Sequence, residues 1–214
     1  MIEREARAEL LLLVGQFKAV AVVGPRQSGK TTLVRAVFPE KPYASLEDPD
    51  TRTWAVSDPR GFLAQFPEGA VLDEAQRVPE LFSYLQGILD KDPRMGRFIL
   101  TGSNHFLLQE NIPQSLAGRI AYLHLLPLTW NELPPGSIST LDQWILQGGY
   151  PSLYSTGVDR GRWFANVSKV CTVARKRHIF LMPCAGLWGY SVSPVVVSFF
   201  CQNWYVKRIE KVCS

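Results

Sequence analysis

No cysteine occurs before Cys171, and the four present (Cys171, Cys184, Cys201 and Cys213) stand 13, 17 and 12 positions apart. With no C-x-x-C pair among them, the usual zinc spacing is excluded. Acid is nearly missing from the end of the chain. From Gly161 onward there are eight Lys or Arg and a single acid, Glu210, a formal +7. Residues 1–160 carry 15 basic and 18 acidic residues, a formal −3. The net +4 is therefore a property of the last quarter and not of the whole. An apolar leader is absent: Met1 to Glu9 is charged and reads as the start of a helix, so a cytoplasmic protein is expected. No charge interrupts Ile179 to Val206. At 46% hydrophobic and 20% charged residues, the composition excludes a disordered chain, and 214 residues hold one ordinary domain with or without an appendage.

The most informative stretch that is present is Gly24-Pro25-Arg26-Gln27-Ser28-Gly29-Lys30-Thr31. It matches G-x-x-x-x-G-K-[ST], the phosphate-binding or Walker A loop, at every fixed position. Ala19 to Val23 before it is a short β-branched run suited to a buried strand, and Thr31 to Phe38 after it suits a helix. Strand, glycine loop and helix together aim backbone N–H groups and the positive helix end at an anion. Residues 24–32, Thr32 included, form the expected nucleotide cradle. Lys30 is expected on the β- and γ-phosphates and the Thr31 hydroxyl on Mg²⁺.

Farther on, Gly69-Ala70-Val71-Leu72-Asp73-Glu74 is an apolar run ending in two carboxylates, which reads as Walker B. Asp73 and Glu74 then emerge at the carboxyl end of a strand, where open α/β sheets bind ligands. Strand alternation predicts that they point apart, Asp73 to Mg²⁺ and Glu74 to the attacking water. Standing alone they would be two solvated loop acids. Other elements follow from pattern: a helix over 3–16, a strand at Tyr43 to Leu46, and two short helices over 51–66 split at Asp58-Pro59. A helix is expected at Pro79 to Leu89, and strands at Arg97 to Asn104 and Ile120 to Leu125. At the end of the fourth strand Asn104 or Ser103 is either a γ-phosphate sensor or the cap of a helix at 104–109. Arg119 is either an arginine finger, in its own subunit or a neighbour's, or an ordinary surface charge. Strand and helix alternate without hairpin signals, which predicts a parallel sheet with helices on both faces.

With these motifs in place the chain resembles the AAA-like P-loop ATPases of bacteria and archaea, in particular a group whose longer members carry a further C-terminal domain. The matching stretches include Val23 to Thr32, Leu46 to Asp50, Leu72 to Glu80, Leu100 to Ser103, Ser115 to Arg119 and Gly148 to Pro151. The resemblance covers the N-terminal helix to about Asn166. It implies a P-loop NTPase fold of class α/β with five parallel strands, the Glu74 strand near the centre, and ATP and Mg²⁺ as cofactors. ATP hydrolysis driving a change in a partner or attached domain is the implied activity. The alternative is a nucleotide-binding module with little or no turnover. Expected partners beyond ATP are a protein partner or a second copy of the chain. No Asn/Thr-Lys-x-Asp guanine-reading string follows the fourth strand.

After Asn166 the resemblance stops. The expected organisation is an ATP-binding domain at 1–135, a small helical extension at 136–166 and an atypical, irregular tail at 167–214. The tail reads as a replaced, truncated or out-of-frame end. By length the uncharged run at 179–206 admits a membrane helix behind Arg175-Lys176-Arg177. Pro183, Pro194, Gly186, Gly189 and five polar side chains argue against it. The basic residues of the tail fall into two separated groups with no recognition motif between them, so nucleic acid is not the expected partner.

Overall fold

The computed structural model describes residues 2–103, 116 and 118–173, of which 167–173 by backbone alone. Asn104, the helix expected at 104–109 and the uncharged run at 179–206 lie outside the described residues. So do the side chains of all four cysteines.

Alternating strand and helix patterns produce the first unit, which ends at Pro134. Helix α1 (Ala6–Gln16) leads into β1 (Ala19–Val23), and α2 (Lys30–Val37) follows the glycine loop. Next come β2 (Tyr43–Ser45), α3 (Pro49–Ser57), α4 (Pro59–Ala64) and β3 (Val71–Asp73). A 3₁₀ turn (Ala75–Arg77), α5 (Leu81–Lys91), β4 (Phe98–Gly102) and β5 (Ile120–His124) complete the unit. All strand pairs are parallel, in the order β2-β3-β4-β1-β5. β4 is central, and the strand carrying Asp73 lies beside it.

Both sheet faces are covered, as near-continuous apolar strands require. Ala19, Ala21 and Val23 of β1 face the cluster containing Phe62, Leu63, Phe82, Leu85 and Leu89 from α4 and α5. Val20 and Val22 face Leu10, Leu33 and Val34 from α1 and α2. The four-leucine run of α1 cannot all turn inward on a 3.6-residue period. Leu10 is buried with Leu13 and Val14 packed beside it, while Leu11 and Leu12 stay exposed. The helix is also shorter at its start than its sequence pattern predicts, beginning at Ala6, with Arg4 and Glu5 committed elsewhere.

The second unit begins at Pro135. It holds α6 (Leu141–Gln147), capped by the Thr140 hydroxyl, then α7 (Ser152–Ser155) and α8 (Arg160–Val173). Tyr150, Leu153 and Trp163 form its small core, with the Tyr150 and Trp163 rings 4.6 Å apart. The α8 backbone continues as helix through residue 167, where the resemblance stops.

Candidate functional site

The glycine loop is held at both ends. At its start, a Cβ on Gly24 would lie 2.1 Å from the Leu125 carbonyl oxygen, so the loop can leave β1 this close to β5 only as glycine. At its end Gly29 caps α2 with φ +94°, a left-handed conformation open to glycine at little cost. The first N–H groups of α2 have no partner within the helix and are the groups a helix start offers to an anion.

Lys30 is 6% exposed, and its ammonium donates to the Gly24 carbonyl at 3.1 Å and the Pro25 carbonyl at 2.8 Å. Burial lowers its pKa, with the Glu74 and Asp73 carboxylates acting in the opposite sense. An anion in the loop would supply the negative charge that this desolvated ammonium lacks. The Ser28 hydroxyl is fully buried with no hydrogen-bond partner among the described residues.

Asp73, at the end of β3, is where three elements converge. Its carboxylate accepts from the Thr31 hydroxyl at 3.0 Å, the Tyr43 hydroxyl at 2.6 Å and the Thr101 hydroxyl. Thr31 spends its single donor on Asp73, which leaves its lone pairs for a cation. Burial and the bond to Asp73 push the Tyr43 phenol up to about 12, so it remains a donor throughout the physiological range. Thr101 is fully buried on the central strand and also accepts the Glu74 amide at 3.3 Å. It thus fixes both acids. Thr101 belongs to the polar end of the fourth strand that the sequence marks, whereas Tyr43 looks like an ordinary strand residue; the fold brings both to Asp73.

Glu74 does not continue the strand. It takes φ +54°, ψ +41°, so strand alternation does not set its direction. The left-handed turn sets it instead, and the Gln76 amide donates to its carboxylate. Ser103 follows β4 and is half-buried.

Arg119 sits elsewhere. It immediately precedes β5, which runs parallel to β1, so roughly 20 Å of extended chain separates it from the loop end of the sheet. Its guanidinium pairs with Asp90 near the end of α5. The strand direction carries the residue away from its own subunit's loop.

The donor set fits a triphosphate with Mg²⁺: a buried ammonium, helix-start amides, an unpartnered buried hydroxyl, and a hydroxyl set against a carboxylate. The parallel sheet and this loop define a P-loop NTPase. Residues 16–134, more than half of the chain, match the model of a family described as an AAA domain. The chain belongs to that family. Among curated proteins, the uncharacterized proteins Mb2031c of Mycobacterium bovis and Rv2008c of Mycobacterium tuberculosis are each 34% identical over 164 residues. That alignment takes in 75% of this chain but 36% of theirs, so the chain spans about a third of these relatives. Among solved structures, a Walker-type ATPase of Pyrococcus abyssi is 16% identical, with 81% of this chain and 73% of that one covered and a TM-score of 0.49. The P-loop NTPase domain of an Escherichia coli sigma-54 transport activator is 20% identical, with 58% and 94% covered and a TM-score of 0.43.

Proposed function

We propose that this chain is a Mg²⁺-dependent ATPase domain. The observation that carries the reading is the Thr31 hydroxyl 3.0 Å from the Asp73 carboxylate, across 42 residues of sequence, beside the buried Lys30. The backbone of residues 24–32 cradles the phosphates, Lys30 moves from the Gly24 and Pro25 carbonyls to the β- and γ-phosphate oxygens, and Thr31 and Asp73 hold the metal. A Mg²⁺ held by these two residues would neutralise charge developing on the phosphate oxygens. Glu74 takes a proton from water as the water oxygen bonds to the γ-phosphorus, and the bond from that phosphorus to the β–γ bridging oxygen breaks to release ADP. Positioning and charge neutralisation supply most of the acceleration, since the transferred phosphoryl needs little covalent help. Asn104 or Ser103 is proposed to contact the γ-phosphate, and Arg119 to serve a neighbouring copy's site. Hydrolysis would drive a change in a partner or an adjoining domain in the cytoplasm.

Gln76 favours a second reading, a binding module with slow turnover, because its amide already occupies the Glu74 carboxylate. ATP binding and phosphate release by the 214-residue chain separate the two. Lys30→Ala should abolish binding under both readings. Glu74→Gln should retain binding and reduce phosphate release by at least a hundredfold under the first. Equal phosphate release by wild type and Glu74→Gln would sink the catalytic assignment.

A further inference from the structure

Arg4 precedes α1 and lies outside the matched residues 16–134, yet it reaches the phosphate loop. It is 9% exposed and paired with Glu132, itself 8% exposed. The guanidinium uses three directions. Nε donates to the Glu132 carboxylate at 3.0 Å, Nη1 to the Ser28 carbonyl at 2.7 Å and Nη2 to the Leu126 carbonyl at 2.6 Å. Glu132 is fixed in turn. One carboxylate oxygen also accepts the Glu5 amide at 2.7 Å, and the other accepts the Thr129 amide at 2.8 Å.

The contact with Ser28 has a consequence for the amide that follows. In a planar trans peptide, C=O and N–H point in opposite directions. Drawing the Ser28 carbonyl toward Arg4 therefore aims the Gly29 N–H the other way. Gly29 caps α2, and its amide is among those available to an anion at the helix start. We propose that Arg4, oriented by Glu132, is a positioning residue that holds the Ser28–Gly29 peptide in its phosphate-receiving orientation and so sets affinity for the nucleoside triphosphate. This rests on the nucleotide-binding reading above. A planar fork serves here where an ammonium would not, because three acceptors in fixed directions must be met at once.

The test uses the full 214-residue chain. Arg4→Met should weaken Mg·ATP binding and raise KM by roughly tenfold to a hundredfold, the scale of a lost charge-assisted hydrogen bond. The kcat at saturation should change less than threefold. Arg4→Lys should recover only part of the affinity. Glu132→Gln, which keeps an acceptor for Arg4, should lie between wild type and Arg4→Met, and it carries the test if Arg4→Met does not fold. In the nucleotide-free chain the Gly29 amide resonance should shift in the Arg4 and Glu132 variants. Variants that melt earlier but retain wild-type KM and an unshifted Gly29 resonance would show a purely structural pair and overturn the proposal. Should wild type and Lys30→Ala alike fail to bind Mg·ATP, the nucleotide reading fails, and the Gly29 resonance alone then decides whether Arg4 orients the loop.

Discussion

Glu74 shows how a single residue trades stability for position. Its left-handed backbone costs a side-chain-bearing residue about 1 kcal/mol. In return the chain leaves β3 in a turn that keeps the Glu74 amide on Thr101 and the carboxylate beside the loop. Strain of this kind persists where the surrounding contacts over-determine it. Glu74→Gly should therefore leave unfolding stability in urea unchanged or raise it by up to about 1 kcal/mol, while phosphate release is lost. A stability loss beyond about 1 kcal/mol would mean that the carboxylate contacts outweigh the backbone strain. Asp73 and Glu74 are visible in the sequence as an acidic pair at a strand end. Thr101 is visible only as part of the polar end of the fourth strand, and its bond to Asp73 appears only in the fold. Arg4 is hidden for another reason: it sits in a charged segment that resembles a solvated helix turn, and its partner is 128 residues away.

At the level of elements, local chemistry set the starts of α3 and α4. Asp48 and Asp58 each accept an amide from the helix they precede, and each is followed by proline at the first helical position. The break between α3 and α4 follows from that pair of signals alone. Burial carries more energy than capping. Asp58→Ala should cost about 1 kcal/mol. Leu100→Ala, fully buried on the central strand, should cost about 2–5 kcal/mol through lost transfer energy and a residual cavity. Urea unfolding of both variants tests the ranking, and equal losses would contradict it. The direction of β5 is an element-scale fact with a functional result. Because β5 runs parallel to β1, the residue entering it cannot be near the loop leaving β1.

For the whole molecule, the described residues proposed for this subunit's own nucleotide contacts and chemistry fall between Gly24 and Ser103, and the Arg4–Glu132 pair ties the start of the first unit to its end. The second unit has its own aromatic core. A chain ending at Asn166 is therefore predicted to bind Mg·ATP with the affinity of the 214-residue chain. Mg·ATP at about 100 times its Kd should stabilise either chain by about 2.7 kcal/mol, read as a rise in Tm of roughly 5–10 °C. Lys30→Ala should remove the rise. A shorter chain that folds without binding would place essential residues after 166.

Phosphate-loop identity, the acidic strand end, the helix caps and the alternating α/β order were all determined by the sequence alone. Each depends on neighbours within a few positions or on a short period. Tertiary structure decided what depends on distant segments meeting: the central place of β4, Thr101 and Tyr43 on Asp73, Arg119 at the far end of the sheet, and Arg4 beneath the loop. The physical reason is the reach of the interactions. A cap or an apolar stripe is set by backbone geometry along a single element, whereas a buried hydrogen bond between residues 4 and 132 exists only once the sheet has brought their two segments together.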